Sequence, residues 1–170
     1  DDASLSILFA VAQEESATKS ENIKFGIHQR MREGKALLNH TRFLGYTKDA
    51  EGQLVIVPEE AEIARKIFSL YLEGNGVRKI KRYLEEHGIR TVTGKAEWST
   101  STIDRMLSNE KYMGILLLQK TYTPDFLTGK QKKNRGELSM YMIEDAHEAI
   151  IEKEVFEAVQ KKKRWSTSCK

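Results

Sequence analysis

VRKIKRYLEEHGIRTVTGKAEWSTSTIDRML, residues 77–107, contains two short helical patterns joined by a glycine-punctuated connection. Val77, Ile80 and Leu84 stand at i, i+3 and i+7, one face of a helix whose other sides carry Arg78, Lys79, Lys81 and Arg82, and Gly88 is its stop. Ile89 to Trp98 form the connection, with a tight turn expected at Thr93-Gly94-Lys95. Ser99 is then the expected cap of a second helix with Ile103, Met106 and Leu107 inward. Trp98 and Ile103 hold the hydrophobic-staple positions on either side of that cap. A helix lying in the DNA major groove contacts base edges from its first turns, so those residues must be short and able to hydrogen-bond. Ser99, Thr100, Ser101, Thr102 and, one turn on, Arg105 meet that requirement. The preceding helix would cross the backbone, with Arg78, Lys79, Lys81 and Arg82 on phosphate and Lys95 joining them from the turn. The connection exceeds the roughly 3–4 residues of a plain helix-turn-helix and points to a wing-like elaboration.

Upstream, Asp2 is a plausible cap for a long helix running through Leu5, Leu8, Phe9 and Ala12, then Ile23, Ile27 and Met31, until Gly34. About 32 residues at 1.5 Å each make a rod of roughly 48 Å. Gln13 to Asn22 is almost wholly polar, which predicts two apolar zones separated by a solvated waist. Residues 35–47 are irregular and form the expected linker. Asp49-Ala50-Glu51-Gly52 then reads as a hairpin turn between short strands near Leu44–Thr47 and Leu54–Val57. Pro58, followed by Glu59, Glu60 and Glu62, opens the next helix, with Ile63, Ile67, Phe68, Tyr71 and Leu72 inward and Gly74 at its end.

Downstream, Met113 to Gln119 and Leu138 to Ile143 read as strands around a basic loop at 121–137. A final helix over 150–164 turns Ile151, Val155, Phe156 and Val159 inward. Its terminal Lys161-Lys162-Lys163-Arg164 complements a negative helix end and could equally touch phosphate. The fold class is therefore α+β, mainly helical: a long first helix (1–34), an extended linker (35–47), a helix-turn-helix or winged-helix-like DNA-binding domain with short strands (48–165), and a tail (166–170).

The formal net charge of the 170 residues is only +3, and the distribution is more telling. Lys24, Arg30, Arg32, Lys35 and Arg42 face one acid, Glu33, over 24–42. Lys120, Lys130, Lys132, Lys133 and Arg135 face one acid, Asp125, over 120–135. Arginines on an irregular strand can follow the minor groove, so Arg30, Arg32, Lys35 and Arg42 are the expected minor-groove contacts. Lys130, Lys132, Lys133 and Arg135 are expected on phosphate, a mobile solvated loop being the plainer alternative. The 39% apolar and 31% charged composition fits a globular chain, and no apolar run nears the roughly 20 residues of a membrane span. Asp1-Asp2 lacks the cations of a secretory signal, so a cytoplasmic protein is expected. The lone Cys169 and the scattered His28, His40, His87 and His147 offer no metal-ligand spacing. No nucleophile elbow, apolar-set carboxylate pair, phosphate loop or HExxH occurs. Neither a cofactor nor a small-molecule substrate is expected.

Ala10-Val11-Ala12-Gln13-Glu14-Glu15-Ser16, Asn22-Ile23-Lys24 and Gly34-Lys35 resemble the long helix that ends the catalytic domain of serine site-specific recombinases. Gly45-Tyr46, Val57-Pro58-Glu59-Glu60-Ala61, Ile67-Phe68-Ser69-Leu70-Tyr71, Gly88-Ile89-Arg90-Thr91, Trp98-Ser99-Thr100-Ser101-Thr102-Ile103, Tyr112-Met113-Gly114 and His147-Glu148-Ala149-Ile150-Ile151 resemble the recombinase domain of the large serine recombinases, which serve phages and conjugative transposons. The resemblance implies a fragment of an integration and excision enzyme that binds attachment half-sites. The catalytic domain with its nucleophilic serine would lie upstream, and a zinc-ribbon domain, the only place zinc is expected, downstream. It further implies self-association through Leu5, Leu8, Phe9 and Ala12. Two alternatives share the same residues: a winged-helix transcriptional regulator dimerising through its long helix, and a helical interaction domain whose cations are solvated.

Overall fold

The computed structural model describes residues 2–33, 42–125 and 127–168. Its elements run α1 (Asp2–Arg32), β1 (Tyr46–Lys48), β2 (Leu54–Ile56), α2 (Pro58–Leu72), α3 (Val77–Glu86), α4 (Thr100–Leu107), a 3-10 turn (Glu110–Met113), β3 (Leu116–Leu118), β4 (Thr121–Tyr122), β5 (Lys132–Lys133), β6 (Tyr141–Ile143) and α5 (Lys153–Ser168). Each sheet has two strands: β1 with β2, β3 with β6, and β4 with β5. The chain divides into two compact units, one drawn from Asp1–Leu37 and Leu117–Met142, the other from Leu38–Leu116 and Ile143–Lys170.

In the second unit the apolar spacing read from the sequence sets the packing. Asp49 turns the first hairpin, its Oδ1 accepting from the amides of Glu51 and Gln53, and the antiparallel register places Tyr46 opposite Ile56. α2 opens on Pro58, whose missing N–H costs nothing at the first helical position, with Glu59 and Glu60 at the positive end of the helix. α2 and α3 both end in Schellman geometry: Asn75 N donates to Leu70 O, and Ile89 N to Leu84 O. α2 packs on α5, α3 and α4 around buried Ile67, Phe68, Ile80, Leu84, Ile103, Leu107, Phe156 and Val159. The expected inward residues Ile63, Leu72 and Val155 are partly buried at its margin.

The core begins earlier than the expected boundary at residue 48. Residues 35–41 of the anticipated linker lie outside the described residues, but Phe43, Leu44 and Tyr46 are buried. The Phe43 ring stacks obliquely on Tyr46 at 4.7 Å and meets Tyr112 edge-on at 5.1 Å, burial that an extended arm would forgo. At the other end α5 continues to Ser168, so residues 166–168 are helix and not tail.

The first unit contains α1, continuous for 31 residues with no break at its polar waist. Gly34, its expected stop, lies outside the described residues. Gln119 Nε2 donates to His28 Nε2 at 3.1 Å, and Tyr141 meets the His28 ring edge-on. The segment expected as loop at 121–137 contains an antiparallel ladder, Thr121 opposite Lys133 and Tyr122 opposite Lys132. Buried Asn134 holds it: Nδ2 donates to Gln119 O and Leu138 O, Oδ1 accepts from the amides of Gly136 and Leu138, and its own amide donates to Lys120 O. The strands expected over 113–119 and 138–143 are shorter, because Glu110–Met113 winds into a 3-10 turn and pairing on the other side starts only at Tyr141. Among the described residues no helix is long and apolar enough to cross a membrane.

Candidate nucleic-acid interface

α4 is set on the surface by its approach. Trp98 is buried and pinned at both ends: its amide donates to Glu85 Oε1 at 2.8 Å and its indole Nε1 to Ile89 O at 2.7 Å. With Ile103 also buried, the staple closes as the spacing predicts. Ser99 holds the cap position but its side chain does not cap the helix. Its hydroxyl instead pairs with Ser101 Oγ at 2.7 Å. The connection forms a turn in which Gly94 N donates to Thr91 O and Thr91 N to Lys95 O, one residue earlier than expected, with Arg90 Nη1 bracing Gly94 O.

Burial of Ile103, Met106 and Leu107 leaves Ser99, Thr100, Ser101, Thr102 and Arg105 exposed, so α4 shows solvent the residues assigned to base reading. Between α4 and the Thr91–Lys95 turn lies a concave groove of about 710 Å³. Its walls bring together Arg42, Lys81, Lys95, Ser99, Thr100, Thr102 and Arg105, over a floor that includes Phe43, Trp98 and Tyr112. Residues expected separately on phosphate, bases and the minor groove thus share one surface. Ser101 does not line the groove and faces outward.

The remaining expected contacts fall elsewhere. Arg78, Lys79 and Arg82 are exposed on α3. Lys81 is 30% exposed and sits 3.6 Å from both Glu85 and Glu97, so two carboxylates compensate the charge expected on phosphate. Arg30 is exposed on α1; the side chain of Arg32 and all of Lys35 lie outside the described residues. Lys130, Lys132, Lys133 and Arg135 are exposed on and around the β4–β5 ribbon of the first unit. Leu5, Leu8, Phe9 and Ala12 are exposed along α1, Phe9 by 71%. In the terminal basic run, Lys162 Nζ caps Leu72 O at the end of α2 at 2.9 Å, and Lys163 pairs with Asp104 at 2.7 Å. Among the described residues no group of three or more His, Cys, Asp or Glu is placed to hold a metal.

The motifs quoted for the family resemblance converge on a second cluster, which supports the groove from behind. Tyr46 Oη donates to Glu148 O at 2.7 Å and accepts from Ile150 N; Tyr112 Oη donates to Leu44 O; Glu60 accepts from Gly45 N; Arg65 Nε donates to Ile150 O. Burial pushes the Tyr46 hydroxyl up to about 12 and Tyr112 higher still, so both stay protonated donors. His147 donates from Nε2 to Lys111 O, its Nδ1 buried without a partner, and burial holds its pKa below the usual 6.5. Gly45 and Gly114 have positive φ, and a Cβ on either would lie 2.6 Å from Ile150 Cδ1 or 2.8 Å from His147 O. This cluster and Asn134 escaped the sequence reading. The alternation of tyrosines and glycines with a distant His147–Ile151 stretch was its only trace.

A hydroxyl-rich helix that follows another helix through a braced turn, on a mainly helical α+β core with short strands, gives a helix-turn-helix-like fold. Residues 58–165, more than half of the chain, match the Recombinase family, and the chain belongs to that family. It is 27% identical to a putative DNA recombinase of Bacillus subtilis strain 168 over 133 residues, 75% of this chain and 26% of that one. It is also 29% identical to the uncharacterised protein YbcK of Escherichia coli K12 over 112 residues, 61% of this chain and 22% of that one. The fold matches a solved LSR–DNA complex, LSR denoting large serine recombinase, at a TM-score of 0.58 with 20% identity, covering 82% of this chain and 36% of the other. It matches equally a structure concerned with the sequence requirements of the Listeria innocua prophage attP site, TM-score 0.58 and 21% identity, covering 82% of this chain and 50% of the other. The chain thus spans about a quarter of the curated relatives and between a third and a half of the solved chains.

Proposed function

We propose that this chain is the sequence-specific DNA-binding part of a large serine recombinase of a phage or conjugative transposon, holding one attachment half-site while a catalytic domain exchanges strands. α4 lies in the major groove with Thr100, Ser101 and Thr102 against bases or phosphates and Arg105 reaching guanine O6 and N7. Arg78, Lys79, Arg82 and Lys95 contact the phosphates that flank it, and the stretch from Arg30 to Arg42 follows the minor groove. Leu5, Leu8, Phe9 and Ala12 mediate self-association of α1, zinc belongs to a separate downstream domain, and the protein works in the cytoplasm. The observation that carries this reading is one groove that gathers Arg42, Lys95, Ser99, Thr100, Thr102 and Arg105, with Ser101 exposed beside it.

A salt series of mobility-shift titrations tests it. About six phosphate contacts give a slope of log K against log salt near −5. A slope near zero rejects groove binding.

A further inference from the structure

The reading face of α4 carries an acid. Asp104 stands three residues after Ser101 and one before Arg105, its side chain 56% exposed. A carboxylate brought against phosphodiesters repels them at separations shorter than salt can screen. α5 answers that charge. Lys163, only 20% exposed, places Nζ 2.7 Å from Asp104 Oδ1 and 3.1 Å from the Asp104 carbonyl, with a further short hydrogen bond to Ser108 Oγ. An ammonium has three protons, and these three acceptors all belong to α4 and the residue that follows it.

We infer that Lys163 is a charge-masking and positioning residue of the DNA interface. It cancels the Asp104 carboxylate and ties the last turn of α4 to α5, so that Ser101 and Arg105 meet the duplex without a negative neighbour. This rests on the DNA-binding reading above and adds a role for a lysine whose place in a terminal basic run suggests a phosphate contact instead.

The test titrates the full chain and its K163M, K163R, D104N and D104N/K163M variants against one duplex, with thermal unfolding of each as a check on folding. Masking weakens K163M by about threefold to tenfold, the size expected for one uncompensated surface charge. The double variant, lacking both charges, returns to within about twofold of the wild type. K163R stays within about twofold, and D104N binds as tightly as the wild type or tighter. A lysine that touches phosphate leaves the double variant as weak as K163M and makes the salt slope shallower by about 0.9. Either result overturns the inference, as does a loss beyond threefold in D104N, which would make Asp104 itself a reader of base amino groups. Should K163M fail to fold, the double variant set against the wild type still decides: masking keeps the double variant within about twofold with the salt slope unchanged, and a phosphate contact weakens it by about threefold or more with a slope shallower by about 0.9. A wild-type chain that binds no duplex sinks the DNA-binding reading as well, whereas a binding wild type with no rescue sinks only this one.

Discussion

At the scale of single residues the chain depends on polar atoms buried where no apolar group could replace them. Tyr46 Oη accepts from the Ile150 amide, which also donates to Tyr112 O, and gives its own proton to Glu148 O, so Tyr46→Phe removes two hydrogen bonds that tie the 148–150 stretch to the core. The expected loss in a denaturant melt is about 1–3 kcal/mol, and an unchanged midpoint contradicts the role. Of the six tyrosines, Tyr46 and Tyr112 should ionise only as the chain unfolds in alkali, which an absorbance titration reads directly. His147 gives a dependence on acid. Its folded pKa lies below 6.5, so above 6.5 both states are neutral and the contribution is constant. As pH falls through 6.5 the unfolded chain takes up a proton that the folded chain resists, and stability drops. Urea midpoints should therefore fall between pH 7.5 and 5, and His147→Gln should flatten that fall. Gly114→Ala meets both a positive φ and the His147 carbonyl and should be among the most damaging single changes.

At the scale of elements the long, strongly patterned segments were legible in the sequence. α2, α3 and α4 begin and turn inward as their spacing implies, and α5 turns inward as expected although it starts at Lys153, three residues after the expected 150, because a stripe at 3.6-residue period has one way to bury itself. The exposed hydroxyls and Arg105 follow from the same arithmetic, since fixing Ile103, Met106 and Leu107 inward fixes what faces out. What was not legible is long-range. The three-residue strands fall where the sequence marks them but carry too little alternation to fix their ends, the β4–β5 ladder hangs on one asparagine, and Glu97 reaches Lys81 across a connection whose path the spacing leaves open. Two element-scale consequences follow. Glu85→Ala should cost about 1–3 kcal/mol by leaving the buried Trp98 amide without its acceptor, and a neutral effect would remove that contact from the account. Asn134→Ala should speed hydrogen exchange at the Gly136 and Leu138 amides, whose shared acceptor it removes.

At the scale of the whole molecule, a modest net charge hides the local excess of cations that binding to a polyanion needs. Lys162 and Lys163 are occupied within the fold, while Arg78, Lys79, Arg82, Lys95 and Arg105 remain on the surface. α1 displays Leu5, Leu8 and Phe9 to solvent; if they mediate self-association, L5E/F9E lowers the mass seen in sedimentation, and an unchanged monomer contradicts that part of the proposal. The central claim is that α4 reads bases through Arg105. Selection from a random-sequence duplex pool, run in parallel with the wild type and Arg105→Ala, tests it most directly. The expected outcome is a defined motif for the wild type and, for the variant, relaxed preference at one guanine with a loss of about 1–3 kcal/mol on that motif. No enrichment by the wild type, or an identical motif from both proteins, would contradict it.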